Sequence, residues 1–369
     1  MTRHLLIDTD PGIDDALAIL LALASPEARI EAVTVVAGNV AVDLAATNAR
    51  RILAVGAPEP MPAVVRGAEA PLKRALVTAG HVHGQDGLGN LDRFVEPDGQ
   101  ARYPEPAPVV ETRSAAEVIL ETVDRLGPDL TVVALGPLTN LAAAVALDAR
   151  RLARAGRVVV MGGAIAVPGN VTPAAEFNFF VDPEAAAQVL EAGLAPELIP
   201  LDVTRRVVLA QARLTERLRG CADRRIARFI LDFTLHGFAF GASQEGGGIV
   251  LHDPLAMAVA LDPSLVAFEP MSVEVECEGK LTRGLSLADR RAIPSHRRRA
   301  PTCRVAVEVD ADALGREAAA HIPARLVVAD AADHPHLGAQ PSRRHRLVGA
   351  LAAAVDQQRA RRDGLAHAR

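Results

Sequence analysis

Tryptophan is absent from this chain, Tyr103 is its only tyrosine, and aromatic residues amount to 3% of the whole. Stacking platforms for single-stranded nucleic acid are therefore not expected. Cysteine is scarce too: Cys221, Cys277 and Cys303 are odd in number and far apart, the pattern of reduced thiols in a cytosolic protein rather than of a disulfide framework. No apolar run is long enough to span a bilayer, and Met1-Thr2-Arg3-His4 leads straight into a predicted strand without a signal peptide's h-region or cleavage site. Positive charge is not in excess either. The formal net charge of -5 offers no global attraction to nucleic acid or to an anionic membrane. The expectation is a cytoplasmic protein.

What is plentiful is material for a core. Half of the 369 residues are hydrophobic, enough for one large α/β domain or two smaller ones. The densest signal is the opening run Leu5-Leu6-Ile7-Asp8-Thr9-Asp10-Pro11-Gly12-Ile13-Asp14-Asp15-Ala16. It reads as a buried strand, a Pro-Gly turn and a helix start, with four carboxylates beside the turn. In an open α/β sheet, ligands bind beyond the carboxyl ends of the strands. Four acids so close together repel one another and need a compensating cation. Oxygen donors with no His or Cys beside them favour Ca²⁺ or Mg²⁺ over zinc. The plainer reading is that Asp14 and Asp15 only favour the helix start while Asp8 and Asp10 sit solvated in a loop.

The same strand, turn and helix pattern recurs. Ile30 to Ala37 is a β-branched run ending at Gly38-Asn39, and Asp43 to Leu53 is helical, which implies a parallel sheet. Pro62 to Val65 is a short strand. The loop His81-Val82-His83-Gly84-Gln85-Asp86-Gly87-Leu88-Gly89-Asn90 follows, and its glycines suit a site lining. Phe94 to Pro108 reads as a surface loop. A helix from Ser114 to Leu126 opens with a capping box to Glu117. Leu130 to Leu135 then runs into Gly136-Pro137-Leu138-Thr139-Asn140 and an Ala-rich helix, so that the Leu135 carbonyl would face the crevice, as hard cations require.

Arg157 to Met161 ends at Gly162-Gly163. Beyond it, Asn170, Glu176 and Asn178 stand in an otherwise small or apolar segment, a set suited to a polyhydroxylated ligand or simply to hydrogen bonds within the loop. Glu197 to Val203 reads as a further strand, and Leu214 to about Gly241 as helical. Gly246-Gly247-Gly248 then leads to His252-Asp253, which either caps the next helix or supplies a metal carboxylate beside a titratable imidazole. Ser272 to Glu276 and Arg304 to Val309 alternate as antiparallel strands, with the solvated run Arg297-Arg298-Arg299 between them. From His334 the chain turns polar, and Leu347 to Arg361 forms an Arg-rich amphipathic helix that can pack at a subunit contact.

These residues, in this order, resemble the inosine-uridine preferring nucleoside hydrolases. The likeness rests on Asp8-Thr9-Asp10-Pro11-Gly12-Ile13-Asp14-Asp15, Gly38-Asn39, His83-Gly84 with Asp86-Gly87-Leu88-Gly89, and Gly136-Pro137-Leu138-Thr139-Asn140. It continues through Met161-Gly162-Gly163, Asn170, Glu176-Phe177-Asn178 and His252-Asp253-Pro254-Leu255-Ala256, covering about residues 3–325. The resemblance implies an open, mainly parallel, Rossmann-like α/β sheet flanked by helices, with a few antiparallel strands late in the chain. Residues 1–330 would form the catalytic domain, and 331–369 a polar linker and a tail helix. It further implies Ca²⁺-dependent hydrolysis of ribonucleosides to ribose and free nucleobase, a salvage or catabolic reaction.

By the same likeness Asp10, Asp15, the Leu135 carbonyl and Asp253 hold the ion. Asp14 and Asn178 bind the ribose 2′-hydroxyl, Asp253 meets the 3′-hydroxyl, Asn170 and Glu176 hold the 5′-hydroxyl, and Asn39 and Met161 lie against the sugar. Breaking a ribosyl C–N bond builds positive charge on the sugar, which a carboxylate cluster stabilises. Asp10 suits the general base, and His252, with an ordinary pKa near working pH, suits the acid for the leaving group. His83 is a candidate base contact. Where relatives carry Tyr or Arg before the His-Asp pair, this chain has Phe233, His236, Phe238 and Phe240, so base preference stays open and His236 can share the acid role. Relatives are commonly dimers or tetramers, so a homo-oligomer is expected. Asp8-Thr9-Asp10 also resembles the nucleophile motif of haloacid-dehalogenase-type phosphatases, and a non-catalytic ribose or nucleoside binder is a further alternative. The phosphatase reading gives Asn170, Glu176, Asn178 and His252-Asp253 no role.

Overall fold

The computed structural model describes residues 2–107, 111–220, 224–244, 247–291 and 299–310. Cys221, Gly246, Arg297, Arg298 and the tail from 331, with its expected helix at 347–361, lie outside the described residues. Eight strands build one sheet: β1 Arg3–Thr9, β2 Ala28–Val35, β3 Ala63–Arg66, β4 Leu130–Ala134, β5 Arg157–Met161, β6 Glu197–Ile199, β7 Val266–Met271 and β8 Cys303–Val309. Their order is β3-β2-β1-β4-β5-β6-β8-β7. All neighbours run parallel except β7 against β8.

Helices fill both faces: α1 Ile13–Ala24, α2 Val42–Gly56, α3 Ala115–Leu126, α4 Thr139–Leu152, α5 Pro183–Glu191, α6 Arg225–Ala242 and α7 His252–Leu261. Alternation along β1 divides the core. Leu5 and Ile7 point to the layer of Ile19, Ile52, Phe233 and Leu255, whereas Leu6 points to that of Ile119, Leu141 and Val189. With both faces covered, the strands read as continuous apolar runs, as parallel strands do. The chain winds from β1 outward to β3, then returns to set β4 on the other side of β1. That reversal opens a crevice at the carboxyl ends of β1 and β4.

One expectation changes and others are refined. Glu197 to Val203 is not one strand: β6 stops at Ile199, and Leu201–Thr204 is a helical turn. Pro200 cannot donate to a ladder and instead precedes the turn in extended backbone. The helical stretch after Leu214 is two helices, Gln211–Leu218 and α6. Late in the chain the expected antiparallel strands are present: β8 pairs with β7, and Val273–Val275 forms its own two-stranded sheet with Ser286–Ala288. The loop from Phe94 is fastened to α6, because Tyr103 OH (2.8 Å) and Arg102 Nη1 (2.9 Å) both donate to the Asp232 carboxylate. Among the described residues no helix is long and apolar enough to cross a membrane.

Candidate active site

Beyond β1 the chain turns at Pro11-Gly12 into α1, so Asp10 and the first-turn acids Asp14 and Asp15 meet at the crevice. None is solvated: Asp8 and Asp15 are 0% exposed and Asp10 is 1% exposed. The carboxylate of Asp10 lies between two glycines at neighbouring strand ends. A Cβ at Gly38 would come within 2.0 Å of its Oδ2, and one at Gly136 within 2.5 Å of its Oδ1. Only glycine leaves it room there. Asn39 N–H donates to Asp10 Oδ2 (2.6 Å), while Asn39 Nδ2 donates to Asp15 (3.2 Å). Asp15 also receives Thr9 Oγ1 (2.5 Å) and Gly12 N–H (2.9 Å), so it does serve the helix start. Asp8 lies deeper, accepting from Thr34 Oγ1 (2.5 Å) and Asn140 Nδ2 (2.7 Å).

The later strand ends complete the wall. Asn178 Nδ2 donates to the carbonyls of Leu135 (2.7 Å) and Met161 (3.2 Å), tying the ends of β4 and β5 together. Glu176 caps the short helix Phe177–Val181, accepting from Asn178 N–H (2.8 Å), Phe179 N–H (3.2 Å) and Gly163 N–H (3.0 Å). Asn170 is exposed, and its Oδ1 accepts Phe177 N–H at 3.0 Å. Asp253 enters from the first turn of α7, where no side chain caps the helix. Asp86 belongs to loop architecture, accepting from Leu88, Asn90 and Leu91 N–H.

Histidines gather on the side of α1 and α6. His83 Nδ1 accepts Ile13 N–H (3.1 Å) and lies 3.8 Å from Asp14 Oδ1. Burial pushes its pKa down to about 4. His252 Nδ1 is 2.8 Å from Thr204 Oγ1. Its pKa is pushed down to about 3 by burial, with the Arg205 guanidinium and His83 adding to the effect. Burial thus favours the neutral imidazole more than the ordinary value assumed from sequence would. His236 sits at the rim, its Nε2 3.3 Å from the His81 carbonyl, and His81 meets Phe240 edge to face at 6.0 Å. His81, Thr204 and Arg205 went unread in the sequence; only the glycine-rich loop around His81 carried a signal.

The charge balance is severe. Burial, and then mutual repulsion, raises the acids: Asp14 to about 8, Asp10 and Asp253 well above the usual carboxylate range. Burial raises Glu176 as well. Carboxylate oxygens of Asp14, Asp15 and Asp253 lie within 4.8 Å of one another, and Asp10 adds its charge to all three. Asp14 Oδ1 is buried without a hydrogen-bond partner. Clustered oxygen donors, a carboxylate oxygen without a hydrogen bond and, among the described residues, no Lys or Arg paired to the cluster fit a hard cation.

A family model described as inosine-uridine preferring nucleoside hydrolase matches residues 5–316. The pyrimidine-specific ribonucleoside hydrolase RihA of Citrobacter koseri is 38% identical over 314 residues, 84% of this chain and 95% of that protein. The solved plant nucleoside hydrolase PpNRh1 superposes with a TM-score of 0.76 at 34% identity, covering 88% of this chain and 99% of its own. A purine-preferring ribonucleoside hydrolase from Gardnerella vaginalis gives 0.75 at 29% identity, over 95% and 99%. With its acids gathered at the sheet switch and its match unbroken across that whole region, this chain belongs to the inosine-uridine preferring nucleoside hydrolase family.

Proposed function

We propose that this enzyme hydrolyses the N-glycosidic bond of ribonucleosides with the help of Ca²⁺, giving ribose and a free nucleobase. The observation that carries the reading is the convergence of buried Asp10, Asp14, Asp15 and Asp253 with Asn39 and Asn178 at one sheet edge. Asp10, Asp15, Asp253 and the Leu135 carbonyl would hold the ion, with Asp14 beside them. When bound, a hard dication neutralises the cluster, orients a sugar diol and acidifies a water.

Asp10 takes the proton of the attacking water as general base, its carboxylate aimed by Asn39 N–H and confined by Gly38 and Gly136. Asp14 and Asn178 receive the 2′-hydroxyl, Asp253 the 3′-hydroxyl, and Asn170 with Glu176 the 5′-hydroxyl, while Met161 lies against the ring. As the C–N bond stretches, positive charge grows on the ribose, and the carboxylates stabilise that state more than the neutral substrate. The departing base meets His83, His236 and His252, and its proton comes from the imidazolium of the more open His236 or from the minor protonated form of His252. Base preference belongs to this wall, so the pyrimidine and purine preferences in the relatives' names do not transfer directly.

The test is a panel of purine and pyrimidine ribonucleosides assayed for free ribose, with and without a chelator. Release that stops on chelation and returns with Ca²⁺ supports the reading. Release indifferent to chelation removes the ion, and no release from any ribonucleoside removes the activity.

A further inference from the structure

We propose that Thr204 is a positioning residue that fixes the tautomer of His252, so that the neutral imidazole presents Nε2–H as a hydrogen-bond donor to the departing nucleobase while keeping its own proton; the inference rests on the ribonucleoside hydrolase reading. Register brings the two together. Val208 and Leu209 pair antiparallel with Val250 and Ile249, and Leu251 N–H donates to the Val207 carbonyl at 2.9 Å. His252 therefore starts α7 directly across from the end of the turn Leu201–Thr204.

That turn is anchored from three sides. Leu201 N–H donates to the Gly163 carbonyl (2.9 Å), Asp202 accepts Ile165 and Ala166 N–H (2.8 Å each), and Arg205 Nη2 donates to the Gly169 carbonyl (2.7 Å). Thr204 is 0% exposed, and its hydroxyl has one side-chain or backbone partner among the described residues, His252 Nδ1. Were Nδ1 to carry the hydrogen, the buried hydroxyl hydrogen would have no acceptor, an arrangement folded proteins avoid. With the hydroxyl donating, both groups are satisfied and the ring hydrogen resides on Nε2. Among the described residues the hydrogen bond of the His252 ring is made at Nδ1, which leaves Nε2 for a ligand. Arg205 and Thr204 thus link the loop of Asn170 to the base-side imidazole through a single turn.

The experiment compares wild type, Thr204→Val and Thr204→Ser on uridine, on inosine and on 4-nitrophenyl riboside, whose leaving group departs as a stable anion without a proton. For Thr204→Val, kcat on both nucleosides should fall at least about tenfold with KM little changed, while the nitrophenyl riboside is cleaved nearly as fast as by wild type. Thr204→Ser, which keeps the hydroxyl, should recover most of the lost rate. ¹⁵N shifts of His252 should report Nε2–H in wild type and a tautomer mixture in Thr204→Val. Equal losses on all three substrates, or wild-type rates on the nucleosides, would overturn the role of Thr204 alone. If wild type cleaves none of the three, the ribonucleoside reading falls and takes this inference with it.

Discussion

Asp10 carries the hydrolytic step, and its neighbours make the test clean. Asparagine keeps the shape held between Gly38 and Gly136 and can still accept Asn39 N–H, but it is no base. Asp10→Asn should lower kcat by about 10²–10⁴-fold while calorimetry still detects ribonucleoside binding; an unchanged rate would remove Asp10 from the chemistry. The sugar contacts give a second prediction. A 2′-deoxynucleoside leaves Asp14 and Asn178 without their hydroxyl, so kcat/KM should fall by at least about 10²-fold. Comparable rates on uridine and deoxyuridine would refute those contacts. The acids and amides of the site are legible in the sequence because each follows an apolar strand run or stands in a small or apolar segment, where a polar side chain needs a reason. Thr204 and Arg205 are not. They follow Leu201-Asp202-Val203, whose alternation imitates a strand, and nothing local reveals that His252, 48 residues on, hydrogen-bonds to Thr204.

Helix and strand boundaries follow local chemistry where that chemistry is strong. At the start of α3, Ser114 Oγ accepts Glu117 N–H (3.2 Å) and the Glu117 carboxylate accepts Ser114 N–H (2.7 Å), the reciprocal pair expected from Ser-x-x-Glu. Ser114→Ala should cost about 1 kcal/mol, read as a lower urea midpoint with the same slope and unaltered kcat/KM. No change in midpoint would mean the cap contributes nothing to global stability. Pairing between strands is harder to read. Alternation identifies Val273–Val275 and β8 as strands, but it cannot say that β7, across a single residue from Val273, is the true partner of β8. Register between distant segments is decided by tertiary packing, which leaves no local mark.

At the scale of the whole molecule, the buried acids make stability depend on pH and on cation together. Burial holds Asp8 at about 7 and Asp14 at about 8, so without metal the folded protein keeps protons that the unfolded chain has released. Their contribution is therefore most favourable below about pH 4 and declines as the pH climbs toward 8, by up to ~1.4 kcal/mol per pH unit for each group. Chelated enzyme should lose thermal stability from pH 5.5 to 8. Millimolar Ca²⁺ should restore more at pH 8 than at pH 5.5, because a cation competes with the protons. Identical pH slopes with and without Ca²⁺ would show that no ion is linked to these acids. The parallel sheet itself was open to reading from repeated strand, turn and helix units; the place of its final strand was not.

That final strand has a consequence for synthesis. β8 lies between β6 and β7, joined to the one in parallel and to the other in antiparallel fashion. On the ribosome, every other strand of the sheet emerges before it, and β6 waits with a bare edge for more than a hundred residues of translation. A nascent chain halted just short of Cys303 would expose that edge to other polypeptides. The dependence of this protein on chaperones should accordingly be greatest while that edge waits for Cys303–Val309 to emerge.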